Sequence, residues 1–159
     1  MTDSTEACEG RCTCGNVRYR ISSRPLVVHC CHCRWCQRES GASYALNALI
    51  ETDRLTVVDG MPEKVMLPSN SGKGQAVLRC PDCRVALWSH YGGGGDRLAF
   101  IRVGTLDAPD DYPPDVHIYT ESKQPWVVIP DKVPAFPQYY RGSDVWSAES
   151  LERRKRLFD

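Results

Sequence analysis

The run HCCHCRWCQRESGASY, residues 29–44, packs four cysteines and two histidines into its first eight positions. Within it, Cys31-x-Cys33-x-x-Cys36 offers three sulfurs in six residues. Working outward, Cys12-x-Cys14 lies upstream and Cys80-x-x-Cys83 downstream, so seven of the nine cysteines fall into three tight groups. A disulfide between residues two or three apart closes a strained or redox-active ring. The spacing therefore points to metal ligation rather than to a disulfide framework.

The segments between these groups read as strands. Val17, Tyr19 and Ile21 alternate with Asn16, Arg18 and Arg20, the period of a half-buried strand. Leu26 to Val28 runs into the central cluster. Further strand-like runs cover Ser43–Ile50, Arg54–Val58, Gln75–Arg79, Val85–Tyr91 and Leu98–Val103, punctuated by Gly, Pro, Asn and Asp. No helical period is sustained before residue 140, and the best helix lies in the tail, Ser147–Phe158. The stretch Pro109–Pro137 reads as extended, with aromatics and valines between its prolines. These signals predict a mainly β protein with a short C-terminal helix. The expected division is a flexible arm over 1–9, one zinc-binding β domain over 10–140 and a helical tail over 141–159.

Bulk properties narrow the function. The chain has 159 residues, 42% of them hydrophobic, enough for one domain with a real core. Twenty basic residues balance twenty acidic ones, which argues against a nucleic-acid or anionic-lipid footprint. The basic run at 153–156 reads as a solvated helix face. The start MTDSTEACEG has no apolar core of a secretory signal, and no stretch has the length of a membrane span. The expected setting is the cytoplasm, where dense cysteine usage signifies metal or catalysis. Ser71-Gly72-Lys73-Gly74 lacks the spacing of a nucleotide-binding loop.

Cys12 and Cys14 precede a strand, while Cys80 and Cys83 sit between two strands. Four thiolates would complete a closed, structural zinc tetrahedron joining distant parts of the sheet. Gly15 follows the first pair, at a position where a positive φ lets backbone N–H groups reach the sulfurs. Four buried or redox-active cysteines are the alternative. Cys31, Cys33 and Cys36 leave a fourth position for water or substrate, as a catalytic zinc requires. Alternatively His29, His32, Cys30, His90 or His117 could close that shell and make it structural. Cys30 could be a spare ligand, a redox partner for Cys31 or a small core residue. Cys8, in the arm, has no expected role.

Four stretches, GRCTCGNVRYRI (10–21), HCCHCRWCQRESGASY (29–44), SGKGQAVLRCPDCRVAL (71–87) and FIRVGTLDAPDDYPPDVHIYTESKQPWVVI (100–129), resemble in order and spacing the glutathione-dependent formaldehyde-activating enzymes, a family that includes the centromere protein V type. The resemblance implies a β-tent fold of short stacked antiparallel sheets stapled by zinc. It implies two Zn²⁺ per chain, a structural ion on Cys12, Cys14, Cys80 and Cys83 and a catalytic ion on Cys31, Cys33 and Cys36. The implied activity is that of a carbon–sulfur lyase, S-(hydroxymethyl)glutathione synthase-like, whose partners are glutathione and formaldehyde or a related electrophile. His117, Lys123 and Trp126 become candidates for the substrate pocket, and His32 or His117 for proton transfer. The family's usual glycine after the last knuckle cysteine is replaced by Arg84, which predicts a costly positive φ. A non-catalytic zinc module that binds a protein or nucleic acid is the alternative function.

Overall fold

The computed structural model describes residues 7–159, and most of the expected arm, residues 1–6, lies outside them. Among the described residues, ten strands form two sheets. They are β1 (Cys8–Arg11), β2 (Arg18–Ile21), β3 (Val27–Cys31), β4 (Ala45–Glu51), β5 (Leu55–Asp59), β6 (Glu63–Leu67), β7 (Gln75–Arg79), β8 (Ala86–Tyr91), β9 (Leu98–Arg102) and β10 (Val116–Ile118). The smaller sheet has the order β1-β2-β5 and the larger β10-β3-β4-β9-β8-β7-β6. The expected strands recur within a residue or two. The sheets are antiparallel except at one edge, where β10 runs parallel to β3.

Residues 8 and 9, expected in the arm, belong to β1 and pair with Ile21 and Arg20 of β2. At the next residue packing demands glycine: a Cβ on Gly10 would stand 2.4 Å from the ring of Tyr19.

Alternation along the strands divides the core in two. Val28, Ala48, Ile50, Ala99 and Ile101 of the large sheet pack with Val17, Tyr19 and Ile21 of the small one. On the opposite face, Val27, Cys31, Leu49, Val116 and Ile118 pack with Tyr140, Val145 and Trp146 of the tail. Cys30 and Cys31 therefore point to opposite sides of β3.

A helix absent from the sequence reading, α1 (Arg34–Ser40), follows the cysteine run. Cys33 caps it, its Sγ accepting from the Cys36 N–H at 3.3 Å, and Gly41 ends it at φ 70°. Seven residues are too few to display a hydrophobic period. The tail forms α2 (Ala148–Phe158), capped by Ser147. Of its basic run, Arg154, Lys155 and Arg156 are exposed as expected of a solvated face, and Arg153 alone turns inward. The Arg153 guanidinium donates to both carboxylate oxygens of Glu51 at 2.8 and 2.6 Å, and Arg154 lies over the rings of Trp146 and Phe158.

The Arg153–Glu51 pair is nearly sealed, with 9% and 6% side-chain exposure. Breaking it from the arginine side leaves the buried Glu51 with Arg54, 3.5 Å away, as a remaining cation. Arg153→Ala is expected to lower stability by about 3 kcal/mol, measured as a fall in the urea midpoint.

Candidate metal centres and the cavity beside them

Two knuckles face one another across the two sheets. The β1–β2 turn carries Cys12 and Cys14, and the β7–β8 turn carries Cys80 and Cys83. Their local bonds match: Cys12 N–H donates to Val17 O and Cys80 N–H to Val85 O, both at 3.1 Å. Gly15 N–H closes on Cys12 O and Arg84 N–H on Cys80 O. Gly15 has φ 79° and Arg84 φ 66°, so the strained arginine expected from sequence is present. Such a residue costs about 1 kcal/mol.

The four sulfurs lie within 4.8 Å of one another. Cys12 and Cys14 sulfurs are 3.6 Å apart, as are those of Cys14 and Cys80. A disulfide would require about 2.05 Å. The edge of a zinc–thiolate tetrahedron is about 3.8 Å, from bonds of about 2.3 Å. The donor set thus fits a metal and not a bridge. Val17 N–H and Asp82 N–H point at the sulfurs of Cys12 and Cys80, the orientation that stabilises thiolates. Backbone hydrogen bonding from Cys14 leads the effects that hold Cys83 down to about 6.

Cys31, Cys33 and Cys36 form a second group, their sulfurs likewise within 4.8 Å. Cys31 comes from the end of β3, Cys33 caps α1 and Cys36 lies in its first turn. Crowding separates their proton affinities. Hydrogen bonds from Cys31 and then Cys36 drive Cys33 strongly toward thiolate, while contact with Cys33 pushes Cys31 up to about 12. A cation at the trio would relieve that competition by taking all three as thiolates.

A cavity of about 470 Å³ opens onto the trio. Trp35, Tyr91, Phe100, Tyr119 and Tyr139 give it an apolar wall, while Glu39, Asn47, Ser69, Ser71 and Gln75 supply polar groups. Behind the wall, Arg102 binds Glu39, Asn47 and Ser89, and Gln75 Nε2 donates to Glu39 at 2.9 Å. Among the described residues, no lysine or arginine lines the cavity.

His29 is on that wall too. Its Nε2 lies 2.6 Å from Tyr140 Oη, which accepts from Trp146 Nε1 at 2.7 Å, so the phenol proton is directed at the imidazole. Burial lowers the His29 pKa to about 4, keeping the ring neutral.

The residues expected on the pocket wall are elsewhere. His117 alternates to the other face of β10. Lys123 Nζ donates to the carbonyls of Gln124 and Val127, and Trp126 is 70% exposed with its indole N–H on Gln124. Nor do the proposed fourth ligands reach the trio as a set. His90 Nδ1 faces Leu98 O at 2.9 Å, and Cys30, His32 and His117 gather in a group of their own. The cavity's aromatic and polar residues went unnoticed in the sequence because they come from α1, β4, β7, β8, β9 and the segments after β6 and β10, which only folding brings together.

The fold and site define a mainly β protein whose sheets are joined and flanked by cysteine clusters able to hold metal. Residues 7–122 match the glutathione-dependent formaldehyde-activating enzyme family, and the chain belongs to it. It is 30% identical over 126 residues to a protein of Halomonas elongata whose name assigns it provisionally to the same enzymes, an alignment covering 76% of this chain and 80% of that one. A solved structure of a Rhodobacter sphaeroides protein, 17% identical, covers 80% of this chain and 99% of its own with a TM-score of 0.47. No described helix is long and apolar enough to cross a membrane.

Proposed function

We propose that this protein is a zinc-dependent carbon–sulfur lyase that makes or breaks a thiol adduct of formaldehyde or a related electrophile. Glutathione is the thiol to which the family points. One observation carries the reading: the cavity of about 470 Å³ has the three-cysteine group in its wall and none of the four-cysteine group. That volume suits a small ligand. Cys12, Cys14, Cys80 and Cys83 hold a structural zinc. Cys31, Cys33 and Cys36 would hold a second, which would supply Lewis-acid chemistry at the cavity.

The chain's residues do the rest. Trp35, Phe100 and the tyrosines shed water from the reactants and hold sulfur and carbonyl carbon together, which replaces an encounter by a positioned approach. In the forward direction the carbon–sulfur bond forms, the carbonyl π bond opens, and the thiol proton ends on the new hydroxyl. Reversal returns it to sulfur.

Because the lining holds no cation, substrate carboxylates would rest on the hydroxyls and amides of Ser69, Asn70, Ser71 and Gln75. Exchange NMR of formaldehyde with glutathione, cysteamine and mercaptoethanol, each against an enzyme-free control, tests the proposal. Acceleration of at least one thiol is expected, and the ranking identifies the preferred charge. Rates equal to the control for all three contradict it.

A further inference from the structure

We propose that Cys30, His32 and His117 form a third metal site, for a divalent cation of zinc's class, behind the cysteine trio. The site goes beyond the two ions expected from the sequence and does not depend on the chemistry at the cavity.

Strand geometry creates it. Cys31 turns toward the cavity, so its neighbour Cys30 turns the other way. The parallel register sets His117 of β10 directly beside Cys30. His32, just past the end of β3, donates its N–H to Ile118 O at 3.0 Å, which fixes the backbone that carries its ring. The three residues are 2%, 0% and 5% exposed.

Three donor atoms converge. His32 Nε2 lies 3.5 Å from Cys30 Sγ and 2.9 Å from His117 Nδ1, with the two rings stacked at 5.2 Å. In a tetrahedral zinc site the sulfur–nitrogen edge is about 3.6 Å and the nitrogen–nitrogen edge about 3.3 Å. The first edge is met, and the second needs a few tenths of an ångström.

Hydrogen bonding alone leaves this cluster poorly satisfied. A ring nitrogen carries one proton or one lone pair, so His32 Nε2 serves only one of its two neighbours. Moreover His32 Nδ1 and His117 Nε2 are buried with no protein partner. Those two atoms lack a protein partner whether a proton or a cation bridges the rings, so the case for a cation rests on the convergence of Sγ, Nε2 and Nδ1. A cation takes the lone pairs of His32 Nε2 and His117 Nδ1 together with the Cys30 thiolate. Such a mixed sulfur–imidazole set suits zinc and its analogues rather than magnesium or calcium. The ion would join β10, only three residues long, to β3, the strand that ends in Cys31 of the trio.

The whole protein, loaded with cadmium-113 and examined by NMR, tests the site. Wild type is expected to give three resonances and three metal ions per chain. Cys30→Ala, a small change in a packed position, should give two resonances, and His117→Gln should lose the same one. Two ions in fully loaded wild type overturn the proposal whether or not either variant folds. Three ions in Cys30→Ala overturn it as well. If the resonance lost in Cys30→Ala is the one lost in Cys33→Ser, Cys30 belongs to the trio and the proposal is overturned as well.

Discussion

Cys80→Ser is expected to cost this protein its cooperative fold, the largest stability effect of any single substitution here. Cys80 is wholly buried, and its group ties the β1–β2 turn of one sheet to the β7–β8 turn of the other. Cys14 and Cys80 are 66 positions apart, so the cluster closes a long stretch of chain. A structural zinc of this kind contributes about 10–16 kcal/mol of apparent binding free energy in small modules. A whole domain is stable by only about 5–15 kcal/mol. Losing even half of the metal's contribution would exhaust that margin. Zinc content should fall by one ion, and the urea transition should broaden or vanish. Cys83→Ser, at a more exposed corner, should do the same in weaker form. A wild-type midpoint for Cys80→Ser would show that packing alone holds the two sheets together.

Cys33→Ser should have the opposite profile, with activity lost and the fold kept. Serine is a good helix cap, so the hydroxyl should still accept from the Cys36 N–H and α1 should persist. The trio spans only residues 31–36, so its metal closes a short loop and adds little to the restriction of the unfolded chain. What disappears is one of three thiolates facing the cavity. We expect a fall of 100-fold or more in adduct exchange, loss of one zinc ion, and a urea midpoint shifted by no more than about 1–2 kcal/mol. Full activity in Cys33→Ser would remove the trio from the reaction.

The strands were legible because their alternation is local. Gln75–Arg79 can be read from five residues, and it has those bounds in the fold. The three metal-spaced cysteine groups were legible for the same reason, since each lies within six residues. Arg84 shows that even strain can be read when its cause is a local turn. Contacts between distant segments were not. β10 has three residues, and its pairing beside β3 depends on the path taken by the proline-rich segment. That pairing carries His117 away from the cavity and up to Cys30. Helix α1 was hidden by its length, and Arg153 looked solvated until Glu51 was placed beneath it. The cavity wall draws on α1, six strands and the loops between them, and no short pattern in the chain announces it.

Anomalous diffraction at the zinc edge, from crystals soaked with glutathione, is the most direct test of the central claim. The expected map has a peak among Cys31, Cys33 and Cys36, with the ligand's sulfur about 2.3 Å from it on the cavity side. A trio without a peak in fully loaded protein, or one whose metal is closed by a fourth side chain and untouched by the thiol, would contradict it.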